Sequence, residues 1–281
     1  MRSVKNNGIS FHTVGFHGYS LDFAIRVLAD LGYDAVELGA EVLPWAAPLV
    51  TPDMPSLERV RLRKLLQQEH LAVSSVAAHR SFLAADAEKR RRDLQYMMGC
   101  IELASDLEVG IAHVISGSVP PGVSERLAWE WLTDGLFRCI ERGESLGVKI
   151  AIEPVACMLV HDTKTLMKVL DEVGDALAVN FDPSHLVVHG DDPASAVMNL
   201  SGRIVHVHLK DARGTPERYE FPPLGTGAVD FGGVVSALAR AGYQGYVSVE
   251  YEADAFGYPR DPVQVARESK QFVEALLKRL S

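Results

Sequence analysis

The chain has 281 residues, 47% hydrophobic and 23% charged, which excludes low-complexity and intrinsically disordered classes, and no apolar run is long enough to span a bilayer. A formal net charge of −9 argues against a nucleic-acid partner, since proteins that grip a phosphate backbone display a basic stripe. Cys100, Cys139 and Cys157 share no CxxC spacing and Met1–Gly8 has no apolar leader, so reduced thiols, a cytoplasmic location and no membrane partner are expected.

In chain order, short β-branched runs alternate with amphipathic helical patterns. The expected strands are Ile9–Val14, Asp34–Leu38, Ala72–Ala78, Ile111–Ile115, Val148–Ile152, Leu177–Phe181, Ile204–Leu209 and Tyr246–Val249. The helical patterns are Leu21–Leu31, Ser56–Gln68, Lys89–Leu107, Ala128–Leu146, Thr163–Val173, Pro193–Leu200, Gly232–Ala241 and Pro262–Leu280. Eight strands, each followed by a helix, predict an α/β chain folded as one (β/α)₈ barrel over residues 1–281. The length agrees, because such barrels run to roughly 250 residues as a single domain. A doubly wound sheet would want GxGxxG after its first strand, and Gly15-Phe16-His17-Gly18-Tyr19 does not form it. Gly32, Gly147 and Gly242 each follow a last helical turn, where a positive φ is needed.

The connections after the strands are longer than those before them, as expected where βα loops build a functional rim. Gly225-Thr226-Gly227 reads as a turn leading to Asp230 as N-cap, and Lys89-Arg90-Arg91-Arg92 as a solvated helix face.

Polar groups terminate four successive apolar strands. The fifth ends Ile152-Glu153-Pro154 and the sixth Phe181-Asp182-Pro183-Ser184-His185. The seventh reads Val205-His206-Val207-His208-Leu209-Lys210-Asp211 and the eighth Val249-Glu250-Tyr251-Glu252. Strand alternation places His206, His208 and Lys210 on one face, with Val205, Val207 and Leu209 on the other, under the helices. By the same parity Asn180 and Asp182 point together, as do Ser248, Glu250 and Glu252. Carboxylates aimed into a closed barrel are costly unless a positive charge meets them. A divalent cation does so best, and a set of three carboxylates and one imidazole favours Mn²⁺, Mg²⁺ or Co²⁺ over a thiolate-rich zinc site, with Mn²⁺ placed first.

The succession Glu-Pro, Phe-Asp-Pro-Ser-His, His-x-His-x-Lys-Asp, Pro-Leu-Gly-x-Gly-x-Val-Asp-Phe and a last strand ending in Glu resembles the xylose-isomerase-like barrel superfamily. Within it, the chain is similar to the sugar phosphate isomerase/epimerase group, relatives of ketose 3-epimerases, inosose dehydratase and endonuclease IV. The likeness starts with Leu31-Gly32-Tyr33-Asp34-Ala35-Val36-Glu37-Leu38 and runs nearly end to end. It implies that Glu153, Asp182, His208 and Glu250 hold one metal ion, that Glu153 and Glu250 act as acid and base, and that His185 contacts substrate. The family's substrate-holding arginine has only Arg213 nearby, at a different offset. Endonuclease IV needs further histidines. His79 is placed to match one, but the fourth strand ends Ile115-Ser116-Gly117-Ser118, so a one-metal site and no nuclease activity are expected.

Around this set, Lys210 offers charge to an oxyanion or simply pairs with Asp211 or Glu252. His12, His79 and Trp45 are candidate substrate contacts at the rim, His206 a core histidine, Glu37 a rim polar group, and Trp129 and Trp131 packing residues. Glu252 replaces Glu250 if the register is off by one pleat. The function expected is isomerisation or epimerisation of a keto sugar through an enediolate. The alternative is a lyase, dehydrating a keto-inositol or eliminating the aglycone of a 3-keto glycoside, and a non-catalytic sugar-binding barrel comes third. Relatives that pair make a homo-oligomer an expectation as well.

Overall fold

The computed structural model describes residues 8–258 and 261–279. Eight parallel strands close a barrel: β1 (Ile9–His12), β2 (Ala35–Gly39), β3 (Ala72–Ala77), β4 (Ile111–Ile115), β5 (Lys149–Glu153), β6 (Ala178–Phe181), β7 (Ile204–Leu209) and β10 (Val247–Val249). They neighbour one another in that order, and β10 pairs back onto β1. In the connection after β7, β8 (Arg213–Thr215) and β9 (Arg218–Glu220) form a separate antiparallel hairpin. The helices are α1 (Leu21–Asp30), α2 (Ser56–Gln68), α3 (Ala87–Asp106), α4 (Glu125–Leu146), α5 (Thr163–Val173), α6 (Pro183–Val188), α7 (Pro193–Asn199), α8 (Phe231–Arg240), α9 (Ala253–Phe256) and α10 (Pro262–Arg279).

The (β/α)₈ reading holds, and each expected strand and helix is present with ends displaced by a few residues at most. Leu280, the expected end of the last helix, and Met1–Asn7 lie outside the described residues. The displacements have local causes. β1 stops at His12 rather than Val14 because the His12 ring caps a 3₁₀ turn over Thr13–Phe16, its Nδ1 accepting from the Val14 amide at 3.0 Å. α4 begins before Ala128 because Ser124 caps it, accepting from the Leu127 amide. Gly32, Gly147 and Gly242 sit at φ of +77°, +71° and +75°, a region costly for any residue with a Cβ. Asp230 caps α8 by accepting from the Gly233 amide. In the basic run, Lys89 pairs with Asp93 and Arg91 with Glu88, while Arg90 lies over the Trp131 ring at 3.7 Å.

Outward-facing strand residues such as Phe11, Leu38, Val114, Ile152, Phe181 and Leu209 are fully buried against the helices and make the main core. Burying apolar area there is the main stabilising term, at roughly 25 cal/mol per Å². The barrel interior is different. Ser10, Ala35, Ser75, Ala151, Asn180 and Ser248 are small or polar and fully buried, which leaves room at the C-terminal end for larger ionisable groups. The ladder shifts register twice, between Val36 and Leu38 on β2 and between Val179 and Asn180 on β6. Irregularities of this kind re-aim side chains and gather beside active sites. The residues between or at these breaks are Glu37 and Asn180, and both point into the site.

Candidate active site

Glu153 ends β5, Asp182 follows β6, His208 lies on β7 and Glu250 follows β10. One ligand atom from each lies within 4.8 Å of the others, and all four residues are buried. His208 Nδ1 stands 3.6 Å from Glu153 Oε1 and 3.3 Å from Glu250 Oε2. The second carboxylate oxygen of Asp182 is committed elsewhere: Oδ1 caps α6 by accepting from the Ser184 amide at 2.8 Å, with Pro183 at the first turn where no amide is needed. Its Oδ2 is buried and accepts no hydrogen bond. Three carboxylates and one imidazole converging on a point fit a divalent cation. Glu252 is not in this group; the register that pairs Ser248 with His208 carries Glu250 to the metal-binding level.

Lys210 completes the charge balance. Its Nζ is 2.6 Å from Glu250 Oε2, 3.0 Å from Asp182 Oδ2 and 3.5 Å from Glu252 Oε2. Lys210 therefore reaches Glu252, as expected, whereas Asp211 turns away. Burial works against the ammonium, but these carboxylates hold its pKa well above the ordinary value. Burial would also raise Glu250, yet Lys210 and His208 hold it well below the carboxylate range. Glu153 goes the other way, raised by burial more than His208 lowers it. Glu252 is pushed up to about 7 by burial, against the pull of Lys210. His185, on α6, meets a donor at each ring nitrogen: the Ala156 amide at Nδ1, 3.2 Å away, and the Lys210 ammonium at Nε2, 3.1 Å away. Burial and the Lys210 charge keep it neutral, with a pKa down to about 3. Its Nε2 also lies 3.5 Å from Asp182 Oδ2 and 3.6 Å from Glu153 Oε1, at the edge of the quartet.

Beneath the quartet lies a second layer of ionisable groups. Glu37, expected at the rim, is fully buried on β2 and faces three imidazoles: His113 Nε2 at 2.5 Å, His208 Nε2 at 2.9 Å and His206 Nε2 at 3.0 Å. Its depth corrects the rim assignment: Glu37 lies two residues before the end of β2 at Gly39, and these rings enclose its carboxylate completely. Burial alone would raise its carboxyl, and His208, His206 and His12 hold it far below the usual range instead. His206 is the core histidine expected, accepted into the cluster by Glu37 and Ser75. Neither His113 nor Glu41 was singled out by sequence. His113 contacts His79 at 2.8 Å, and Glu41 faces His12 at 3.3 Å. Asn180 donates to Glu153 Oε2 at 2.8 Å and sits 3.3 Å from His113 Nδ1, tying the two layers together.

At the rim, His79 approaches Glu153 Oε2 at 3.5 Å, and His12 packs edge-on against His208 with centroids 5.8 Å apart. Trp45 packs on His17, which pairs with Asp254, so it belongs to the outer wall rather than the quartet. Arg213 lies apart: it is exposed on the hairpin, held by Glu220 and the Tyr258 hydroxyl at 3.4 Å. Asp211 anchors the loop that follows, its carboxylate accepting the amides of Ala212, Gly225, Gly227 and Val229. A Cβ on Gly227 would stand 2.3 Å from Asp211 Oδ1, which explains the glycine. Phe221, beside the hairpin, roofs the site, 5.1 Å from the His185 ring and 4.6 Å from Lys210 Nζ.

Comparison with known proteins identifies the family of this fold. A family model described as xylose isomerase-like TIM barrel matches residues 25–276. The inosose dehydratase of Geobacillus kaustophilus is 27% identical over 93% of this chain and 89% of its own length. The inosose dehydratase of Lacticaseibacillus casei is 27% identical over 53% of the chain and 55% of its own length. Among solved structures, a D-tagatose 3-epimerase-like protein superposes with a TM-score of 0.78 at 21% identity, covering 98% of this chain and 100% of that one. The IOLI protein, solved with a bound zinc atom, superposes with a TM-score of 0.77 at 19% identity over 98% and 99% of the two chains. The matched segment runs from α1 into α10 and takes in every member of the quartet, so the chain belongs to the xylose isomerase-like TIM-barrel family.

Proposed function

We propose that this chain is a divalent-metal-dependent enzyme that enolises an uncharged keto sugar or keto polyol, with Glu153 and Glu250 moving the proton. The observation that carries the reading is the buried quartet of Glu153, Asp182, His208 and Glu250. A divalent ion there, Mn²⁺ first by the hardness of the donors, supplies Lewis acidity to a carbonyl and its neighbouring hydroxyl. Glu250, kept ionised by Lys210 and His208, suits the base that removes the α-proton. Glu153, whose carboxyl is raised by burial, suits the acid that returns it. The Lys210 ammonium, 3.1 Å from His185 Nε2, supplies positive charge where an enediolate oxygen would develop, and Phe221 covers that side. Return of the proton to the opposite face gives an epimer, and return to the adjacent carbon an isomer.

A neutral substrate follows from charge. Among the described residues, Glu41, Glu153, Asp182, Glu250 and Glu252 face this space and Lys210 answers three of them. Arg80 folds outward onto the Tyr96 ring at 4.6 Å and Arg213 is bound to Glu220, so neither guanidinium is free for a phosphate group.

Elimination is the second reading, favoured by Lys210. Its ammonium is more than a two-carboxylate proton shuttle requires, and it is placed to donate to a departing hydroxyl. The similarity to inosose dehydratases supports the same outcome. Incubating the Mn²⁺-loaded protein with ketoses, inososes and 3-keto glycosides in D₂O, followed by NMR, separates the two. Deuterium at one carbon of an otherwise intact product marks isomerisation or epimerisation; loss of water or aglycone marks the lyase. Absence of α-proton exchange with every one of these compounds would overturn the enolising reading.

A further inference from the structure

We infer that Glu37 is a positioning residue for the metal: it sets the tautomer of His208, and so decides which imidazole nitrogen is offered as ligand. This rests on the reading of His208 as a metal ligand. The two nitrogens of that ring face opposite ways. Nδ1 looks toward Glu153 Oε1 and Glu250 Oε2, at 3.6 and 3.3 Å, while Nε2 looks down the barrel to Glu37 Oε1 at 2.9 Å. An ionised carboxylate only accepts, so the nitrogen that meets it must carry the hydrogen. With the Nε2 hydrogen held by Glu37, Nδ1 is the nitrogen left to give its lone pair to a cation at the other three ligands.

Glu37 is held in place for this task. It is fully buried, and its two oxygens accept three imidazole N–H groups: His113 and His208 on Oε1, and His206 on Oε2. It sits at the β2–β3 register shift, where one residue on β2 faces two on β3, Ser74 and Ser75. Ser75 in turn contacts His206 Nε2 at 3.2 Å, so the carboxylate cannot rotate without breaking several bonds at once. The same logic runs outward. With its hydrogen on Nε2, His113 presents Nδ1 as acceptor to His79 Nε2 at 2.8 Å, which fixes a third ring at the rim. One carboxylate thus orders the histidines on both sides of Glu153.

Glu37→Gln is the direct test, since it exchanges an acceptor oxygen for a donor NH₂ at almost constant shape. Mn²⁺ affinity, read from the free-ion EPR signal during titration, is expected to fall about 10–100-fold, the usual effect of removing a partner behind a ligating histidine. The wild type and His208→Asn are titrated alongside. If His208→Asn binds Mn²⁺ as the wild type does, the ligand assignment fails and the inference with it. If His208→Asn loses the metal while Glu37→Gln keeps wild-type affinity, the ligand assignment stands and the role of Glu37 is refuted. Should Glu37→Gln not fold, long-range ¹⁵N–¹H spectra of histidine-labelled, Mg²⁺-loaded wild type still decide. They are expected to show His208 as the Nε2–H tautomer, and a hydrogen on Nδ1 would overturn the inference.

Discussion

Replacing Lys210 by Met tests the electrostatic reading of the site in a way that simple loss of activity would not. The Lys210 ammonium lies within 3.0 Å of Asp182 and Glu250 and 3.5 Å from Glu252, with almost no solvent contact. Removing one partner of a buried ion pair costs about 3–5 kcal/mol, because the remaining charge is left uncompensated. For a domain of this size each kcal/mol moves the melting temperature by about 2 °C, the low end of the range for large domains. Lys210→Met is therefore expected to lower the melting temperature in EDTA by about 6–10 °C. Saturating Mn²⁺ brings its own positive charge to Asp182 and Glu250, so the deficit should shrink by more than half. By linkage, the variant should bind Mn²⁺ more tightly than wild type. Differential scanning calorimetry with EDTA and with excess Mn²⁺ makes the comparison. An equal loss under both conditions would show that Lys210 acts through packing alone, and no loss in EDTA would refute the buried-charge picture.

The remaining predictions concern pH and the rim. His185 is held down to about 3 and His113 to about 4, both mainly by burial, so both rings stay neutral in the fold. Unfolded histidines take up a proton near 6.5, so below that pH the unfolded chain binds more protons; the stability these rings contribute is present above 6.5 and lost as pH falls towards 4. Urea unfolding of the metal-free protein should show this decline, and His185→Gln should flatten it; an unchanged slope would mean that His185 titrates alike in the folded and unfolded chain. Asp211→Ala removes the acceptor of four loop amides and should cost about 1.5–3 kcal/mol, the range for hydrogen bonds to a charged group. Amide exchange at Gly225, Gly227 and Val229 should quicken while Mn²⁺ affinity stays as in wild type. Unchanged protection at those amides would remove Asp211 as the anchor.

The barrel was legible because each strand is a β-branched run of the right length and each helix repeats its apolar positions at the right period. The quartet was legible for a related reason: Glu153, Asp182 and Glu250 each interrupt an apolar run at the strand end, and His208 alternates with Val207 and Leu209. The same alternation was available for Glu37 between Val36 and Leu38, and for His113 between Ala112 and Val114. What one strand cannot reveal is depth. The shared level of Glu37 and His12, and the convergence of three imidazoles on one carboxylate, arise only when β1, β2, β4 and β7 close on each other. The hairpin left no pattern at all, since Arg213-Gly214-Thr215 and Arg218-Tyr219-Glu220 are too short and too polar to alternate. The expectation that Arg213 reaches substrate rested on its nearness in sequence to a family position, and the hairpin carries it off to Glu220.

The small apolar cluster beside that hairpin changes how this protein can be altered. Phe221 packs with Ala156, Val188 and Ala212, and Tyr219 and Phe256 lean on it, separately from the main core. Its tether, Asp211, bonds only to loop amides of its own segment. The segment from 211 to 230 is therefore close to a cassette: it brings its own packing and its own fastening, and it meets the reactive groups through little more than Phe221. Grafting loops of other lengths between Asp211 and Asp230 should retune which ligands the site accepts while the ionisable interior of the barrel is left as it stands.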